Sequence, residues 1–252
     1  MTNFTTNNNL ILYWIVFALV LFPMLFFIKQ PYGKHFQNGW GPSISNRIGW
    51  VIMEIPSLLI LCYFFIIYRN FTSAAALLFL LWIIHYFNRT LVFPFRIKTK
   101  GKKMPILIVL FAILFNIINA SFNGIDLSKT LDFHYFSIAD FIRFGFGFLL
   151  FGTGMIINLT SDNILISLRI SSPKGYQIPQ AGMFKWISCP NYFGEIIEWA
   201  GFAIMAWNLA ALSFLIWTIV NLLPRAIDHH NWYRQSFADY PENRKAIIPF
   251  IL

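Results

Sequence analysis

The chain has 252 residues, of which 58% are hydrophobic, 19% aromatic and only 12% charged. Because a typical soluble domain has about 25% charged residues, this chain has too little polar surface for an ordinary soluble enzyme. The same composition excludes a disordered chain, a coiled coil and a disulfide-rich scaffold. The net charge of +9 is that expected for a membrane protein with basic cytoplasmic loops, so we expect no nucleic-acid partner. The composition therefore predicts an all-α integral membrane protein that forms one domain over residues 1–252.

The apolar segments predict seven transmembrane helices. A helix that crosses about 30 Å of hydrocarbon needs about 20 mostly apolar residues. Five segments meet this length: 10–28, 49–68, 73–95, 104–122 and 136–159. The apolar stretch 191–223 would be about 50 Å long as one helix, so we divide it at Asn208 into helices six and seven. Helix seven is expected to continue past Pro224.

The distribution of basic residues predicts the orientation. With the N-terminus outside and the C-terminus in the cytosol, the inner segments hold 15 of the Lys and Arg residues and the outer segments hold 2. This bias favours a multi-pass protein of the cytoplasmic or endoplasmic reticulum membrane with that topology. The basic run 98–103 is expected to face anionic lipid, with a phosphate contact as the alternative.

Several ionisable side chains fall inside the predicted spans, where each costs roughly 2.5–3.5 kcal/mol. They are Glu54, His85, Arg89, Asp140, Arg143, Glu195 and Glu198. Asp140 and Arg143 are three residues apart, which predicts an ion pair on one helix face. Glu54 has no opposite charge nearby in its own helix. It therefore either pairs with a residue of another helix, such as Arg89, or serves as an acid or hydrogen-bond donor.

His85, Tyr86 and Arg89 form a polar cluster on the third predicted helix. A tyrosine near the headgroups is usually an interface residue. In a polar cluster, however, a tyrosine can polarise a carbonyl oxygen or deliver a proton.

Polar residues also recur at helical spacing near the inner ends of the last three predicted helices. The sets are Asn158, Asp162 and Arg169, then Glu195 and Glu198, then Arg225, His229 and Tyr233. The first set shares one helical face if the fifth helix continues past the membrane. One shared pocket that faces the cytosol explains these sets better than three separately solvated helix ends. Arginines and a histidine beside carboxylates suit a large ligand with phosphates and hydroxyls.

The common nucleotide and metal motifs are missing from the sequence. There is no G-x-G-x-x-G after a strand and no Walker loop, so a nucleotide would be held by side chains between helices. The glycine pairs at 145/147 and 152/154 lie in an apolar helix and predict close helix packing. Two cysteines and five histidines do not supply the ligand spacing of a metal site, so we expect none.

Four further blocks of sequence lie in the C-terminal third of the chain: YQIPQ at 176–180, NYFGEIIEW at 191–199, RAIDHH at 225–230 and DYPENRKAIIPF at 239–250. Through these blocks the chain resembles the steroid 5α-reductase family. The resemblance extends forward to PYGKH at 31–35, EIP at 54–56 and HYFNRT at 85–90. It covers nearly the whole chain in order.

The resemblance implies a seven-helix membrane oxidoreductase that uses NADPH to reduce the 4,5 double bond of 3-oxo-Δ4 steroids, by hydride transfer to C5. It implies that Glu54 and Tyr86 bind the 3-oxo group, in a lipid substrate cavity formed mainly by helices 1–4. It also implies an NADPH pocket formed mainly by helices 5–7 and the cytosolic loops. The implied pocket residues are Asn158, Asp162, Arg169, Tyr176, Asn191, Glu195, Arg225, His229 and Tyr233. The steroid would enter from the lipid and the cofactor from the cytosol, and no obligate protein partner is evident.

One departure from the family pattern leaves the substrate open. Met53 stands where the steroid branch often has a glutamine, and a thioether cannot orient Glu54 as an amide does. The first alternative is a reductase of the same fold that acts on an enoyl thioester or a polyprenol-type substrate. The others are a membrane methyltransferase that uses S-adenosylmethionine, and a transporter or scaffold in which the buried charges only pair.

Overall fold

The computed structural model describes residues 2–28, 39–68, 72–99, 101–130, 132–171 and 175–252, with side chains from residue 8 onward. Some features of the sequence lie outside these ranges. They are the PYGKH motif at 31–35, the SPK segment at 172–174 and the basic residues Lys29, Lys34, Arg69, Lys100 and Lys174.

Within the described ranges the chain forms eight α-helices and one small sheet. The helices are α1 (Thr2–Leu25), α2 (Asn46–Tyr68), α3 (Ser73–Phe87), α4 (Phe93–Arg96), α5 (Ile106–Leu127), α6 (Ile138–Ser171), α7 (Pro190–Ala206) and α8 (Leu209–Ser236). A π-helical turn, Asn88–Val92, joins α3 to α4, and short 3-10 turns occur at Phe133–Tyr135 and Gly182–Lys185. Strands β1 (Ser43–Ser45) and β2 (Lys103–Pro105) pair antiparallel, with Ser43 opposite Pro105.

Six helical segments in the described part of the chain are long and apolar enough to cross a membrane. They are α1, α2, the continuous run from α3 through α4, α5, α6 and α8. This indicates a multi-pass membrane protein. The remaining long helix, α7, has only 17 residues. Seven spans with an external N-terminus therefore stay a prediction.

The predicted division of the last apolar stretch is confirmed. Helix α7 ends at Ala206 and α8 begins at Leu209, on either side of Trp207 and Asn208. Trp207 has a positive φ of 47°, which no helical residue adopts. The Asn208 side-chain oxygen accepts the backbone N–H of Ala211 at 2.9 Å and so caps the N-terminus of α8. As predicted, α8 continues past Pro224.

Several predicted boundaries were wrong. The second helix begins at Asn46 and not at residue 49, and the fourth apolar segment stays helical to Leu127 and not to residue 122. The first helix ends at Leu25 and not at residue 28. The fourth apolar segment does not begin as helix, because Met104 and Pro105 belong to β2. Helix α6 does not end at residue 159 but continues to Ser171, since a helix that leaves the membrane can extend through polar sequence. Its 34 residues make it about 51 Å long, which exceeds the hydrocarbon thickness.

The chain divides into two compact units. The first unit contains Met1–Lys29, Phe146–Ile204 and Leu212–Leu252, and the second contains Gln30–Gly145 and Met205–Ala211. One domain over residues 1–252 stays a prediction.

In the first unit, α6 and α7 pack backbone against backbone through glycines. A Cβ atom on Gly154 would clash with the backbone of Glu198, and one on Gly194 would lie 2.6 Å from the Asn158 nitrogen. The predicted close packing is thus confirmed at Gly154, whereas Gly145 and Gly152 would meet no atom within 4 Å. This contact places the start of α7 beside the polar half of α6.

In the second unit, α2, α3 and α5 pack together. The Trp82 indole N–H of α3 donates to the Ser57 carbonyl of α2 at 3.1 Å. A Cβ on Gly124 of α5 would lie 2.6 Å from the ring of Phe64 on α2. These two contacts bring both neighbours close to α2, the helix that carries Glu54.

Candidate active site

The carboxyl group of Glu54 has partners on two other helices of the second unit. Its Oε1 atom lies 3.7 Å from Nε of Arg89, and its Oε2 atom accepts a hydrogen bond from the Asn116 amide at 3.3 Å. The sequence left open whether Glu54 pairs with a residue of another helix, and the structure shows that it does. Both charged side chains are largely buried, at 16% exposure for Arg89 and 13% for Glu54.

Arg89 lies in the π-helical turn between α3 and α4. A π turn inserts extra backbone into a helix and changes the direction of the side chains around it, often at functional sites. The Arg89 guanidinium stacks over the ring of Trp50 at 4.6 Å and that of Phe93 at 5.5 Å. The cation is thus in contact with two aromatic rings and with Glu54.

Tyr86 is buried on α3, and its ring stacks on Trp82 with centroids 5.0 Å apart. The short connection between α2 and α3 makes these helices antiparallel neighbours. Trp82, one turn before Tyr86, bonds Ser57, one turn after Glu54. The bond therefore places Glu54 and Tyr86 within about one turn of the same level on two adjacent helices, and His85, next to Tyr86, is also buried.

Asn116 was missed in the sequence analysis, which considered only ionisable groups inside the spans. A signal was present in the sequence. Asn116, Asn119 and Asn123 recur at three- and four-residue spacing in an otherwise apolar helix, and all three are buried. A buried amide stripe in a membrane helix indicates polar partners on neighbouring helices.

In the first unit, three of the predicted pocket residues form a connected group. The Asn158 amide donates to the Asn191 carbonyl at 3.0 Å, and the Asn191 amide donates to the Asp162 carboxylate at 3.2 Å. Asn158 and Asp162 are one turn apart on α6, and Asn191 is the second residue of α7. The glycine contact at Gly194 makes this approach possible, because it brings the two backbones together one turn away.

A second group lies at the end of α6. The Arg169 guanidinium stacks over the Tyr176 ring at 4.4 Å and donates to the Gly175 carbonyl at 2.9 Å. Tyr176 in turn meets the ring of Trp232 on α8 edge to face, at 5.1 Å. Tyr233, the next residue, is buried and stacks on Tyr240 at 5.4 Å.

The remaining predicted residues lie on α7 and α8. His229 Nε2 is 3.2 Å from the hydroxyl of Tyr192 on α7. Arg225 precedes His229 by one turn, and Glu195 follows Asn191 by one turn, both partly buried. Tyr192 belongs to the NYFGEIIEW block, but the sequence does not indicate that it lies in the pocket. Its contact with His229 depends on how α7 packs on α8.

The C-terminal segment supports these residues. Ser188 Oγ lies 2.6 Å from both His230 Nδ1 and the Tyr240 hydroxyl, and it donates to the Lys245 carbonyl at 3.0 Å. Burial raises the pKa of the Tyr240 phenol. The Arg244 guanidinium donates to the Pro179 carbonyl at 3.1 Å, which ties the YQIPQ segment to the chain end.

The first-unit residues have the chemistry that a dinucleotide requires. Guanidinium groups bind phosphates, amides and carboxylates bind hydroxyls, and tyrosine rings stack on flat bases. Asp162 and Arg169 on α6, with Tyr176 after it, supply one of each type. This set therefore fits a ligand such as NADPH.

Comparison with known proteins supplies the family. A family model described as 3-oxo-5-alpha-steroid 4-dehydrogenase matches residues 102–252. The steroid 5-alpha-reductase DET2 of Solanum lycopersicum is 39% identical, over 98% of this chain and 99% of its own length. The 3-oxo-5-alpha-steroid 4-dehydrogenase 1 of Rattus norvegicus is 39% identical, over 89% of this chain and 87% of its own length.

The chain belongs to the 3-oxo-5-alpha-steroid 4-dehydrogenase family. It is thus an oxidoreductase of the class that acts on a CH–CH group. The family model covers α5–α8 and every candidate cofactor residue, but it begins after Glu54 and Tyr86. The alignment with the tomato protein extends over both of these residues, because it leaves only about 2% of this chain uncovered.

Proposed function

We propose that this member of the 3-oxo-5-alpha-steroid 4-dehydrogenase family reduces the 4,5 double bond of 3-oxo-Δ4 steroids, with NADPH as the reductant. The names of its relatives support the steroid substrate. The observation that carries the proposal is the arrangement around Glu54. A carboxyl group anchored by Arg89 and Asn116 lies at the level of a buried tyrosine on the adjacent helix.

This arrangement suits the chemistry of a conjugated ketone. An isolated alkene does not accept hydride, but an alkene conjugated to a ketone does, if charge on the ketone oxygen is stabilised as it develops. Tyr86 would donate its hydroxyl hydrogen to the 3-oxo oxygen. Glu54, when it carries a proton, would donate a second hydrogen bond to the same atom, because a carboxyl group donates only when protonated.

The cofactor completes the reaction. NADPH, when bound, would supply the hydride to C5, and a proton added at C4 would give the saturated ketone. Arg169 and Arg225 would bind its phosphates, and Asn158, Asp162, Tyr176, Asn191, Glu195, His229 and Tyr233 would line the rest of its pocket. The contacts among Asn158, Asp162 and Asn191 support this assignment, since they hold three polar side chains in fixed orientations.

The membrane helices are consistent with a lipophilic substrate. Six segments are long and apolar enough to cross a bilayer, and a steroid dissolves in such a bilayer. We therefore propose that the steroid enters laterally from the lipid, while the charged cofactor enters from the cytosol.

The test changes one hydrogen-bonding group at a time: Tyr86→Phe removes the hydroxyl, and Glu54→Gln replaces the carboxylic O–H donor with the N–H of an amide, which is a much weaker acid. Glu54→Gln and Tyr86→Phe should each lower kcat with a 3-oxo-Δ4 steroid by roughly 10²–10³-fold, the usual cost of one oxyanion donor. The Kd for NADPH should stay within about two-fold. Tyr63→Phe is the matched control, because Tyr63 is an exposed tyrosine of α2. Near-normal turnover by both site variants would show that this pair does not bind the carbonyl.

Substrate and cofactor are tested separately from the residues. The purified protein would be assayed with a 3-oxo-Δ4 steroid, an enoyl-CoA and a polyprenol-type substrate, each with NADPH. If the protein reduces the enoyl-CoA or the polyprenol-type substrate but not the steroid, its substrate is another conjugated lipid. NADPH should raise the melting temperature and S-adenosylmethionine should not, since only a ligand of the native state stabilises it.

A further inference from the structure

The side-chain amide of Asn116 bonds two groups of α2. Its nitrogen lies 2.5 Å from the Met53 carbonyl oxygen and 3.3 Å from Oε2 of Glu54. An amide nitrogen carries two hydrogens, so one residue of α5 satisfies both contacts. Asn116 is 4% exposed, which leaves its side chain little freedom to move.

The local sequence of α2 explains why a residue of another helix supplies the hydrogen bonds to Met53 and Glu54. The side chain of Met53 packs in an apolar cluster with Met104 and Val109, so the residue before Glu54 contributes no polar group to it. Pro56 lacks a backbone N–H, so the helical bond to the Ile52 carbonyl is missing and the turn that contains Met53 is weakened. In a membrane helix, such a turn is stabilised by side chains of neighbouring helices. Asn116 binds the backbone of this turn and the Glu54 side chain together.

The two oxygens of Glu54 are thus held from two sides. Arg89 lies beside Oε1 and Asn116 bonds Oε2, and the two partners belong to different helices. Without Asn116, Oε2 of Glu54 would lose this hydrogen bond, and the carboxyl group could rotate toward Arg89. The side chain would then occupy several orientations, of which only some could bind a ketone oxygen.

We propose that Asn116 is a positioning residue, which holds the Glu54 carboxyl group in the orientation that binds the 3-oxo group. The proposal rests on the function assigned to Glu54 above. A purely structural Asn116 would cap the Met53 carbonyl and affect stability alone. A positioning role predicts in addition that a fully folded Asn116 variant has a lower kcat/KM for the steroid than the wild type.

The experiment compares Asn116→Leu with Asn123→Leu. Asn123 is equally buried on the same helix, but its amide bonds the Asn119 and Ala210 carbonyls. Asn116→Leu should lower kcat/KM for the steroid by about 10- to 100-fold, the usual range when a buried polar group loses its hydrogen-bond partner. The Kd for NADPH should be unchanged, and Asn123→Leu should stay within about two-fold of the wild type per folded molecule.

Asn116→Ser provides a second variant if the leucine variant does not fold. A serine is too short to reach Glu54, and its hydroxyl can bond its own helix, so the helix stays intact. It should show the same selective loss in kcat/KM. A fall in melting temperature with normal kcat/KM in the folded variants would overturn the positioning role. Full activity of Glu54→Gln would instead refute the proposed role of Glu54, which is a different result.

Discussion

The guanidinium Nε of Arg89 lies 3.7 Å from a carboxyl oxygen of Glu54 on the neighbouring helix. Both groups are withdrawn from water, and Arg89 also stacks on Trp50 at 4.6 Å. An ion pair in such a place specifies how the π-helical turn packs against α2, because each charge would be costly in lipid if the other were removed.

Removing either member of this pair should destabilise the protein, whereas removing both should cost less than the sum. A buried charge without its partner typically costs about 3–5 kcal/mol, and contacting residues couple by about 0.5–3 kcal/mol. Glu54→Gln, Arg89→Gln and the double variant would be compared by thermal unfolding in detergent. Additive changes in melting temperature would show that the two side chains do not interact.

The glycine contact between α6 and α7 gives a matched pair of substitutions. Gly154→Ala should lower the melting temperature markedly, because its Cβ would clash with the backbone of α7. Gly152→Ala, on the same helix with open space around it, should be neutral or stabilising by up to about 1 kcal/mol. Thermal unfolding of the two variants checks this. Equal effects would contradict the close packing of the helices.

The arginines of the first unit should affect the cofactor more than the steroid. Arg169→Ala and Arg225→Ala should each weaken NADPH binding by about ten-fold or more, the usual cost of a lost bond to a charged group. Arg234→Ala, an exposed arginine on α8, is the control. NADPH titrations and steroid KM values would be measured in parallel. Equal losses for both ligands would indicate damage to the fold and not to a cofactor site.

Asp132 should make the stability depend on acidity. Its carboxylate accepts the backbone N–H of His134 and that of Ser73, and these bonds lower its pKa from 3.8. Because the folded pKa lies below the unfolded one, the stabilisation is present above about pH 4. It is lost as the pH falls through the lowered folded pKa.

Asp132→Asn should therefore reduce the melting temperature at neutral pH. It should also abolish the part of the stability that depends on the ionisation of Asp132. Melting curves of the wild type and the variant would be recorded from pH 7 down to the lowest pH at which the protein stays soluble. The difference between the two should be constant at neutral pH and shrink below about pH 4. A difference that does not change with pH would rule out the carboxylate as its cause.

The sequence alone determined the features that depend on local physical chemistry. Hydropathy over about 20 residues located the apolar helices, because the bilayer acts on each segment independently. The break at Asn208 was predicted because the last apolar stretch is too long for a single span. The ion pair of Asp140 with Arg143 was predicted from their helical spacing, and the 3.1 Å contact confirms it. Blocks of sequence shared with the steroid 5α-reductase family indicated the family, which the comparisons confirmed.

Only the tertiary structure decided which residues of different helices meet. Asn116 and Glu54 are 62 positions apart, and no periodicity in either helix indicates that they bond. Met104 and Pro105 form part of a strand although they begin an apolar segment that predicts a helix. They do so because they pair with a strand about 60 residues earlier, which the local sequence does not reveal. Helix α6 continued past the predicted membrane boundary because hydropathy reports the bilayer and not the end of a helix. Contacts between helices depend on packing over the whole unit, and local sequence patterns do not contain that information.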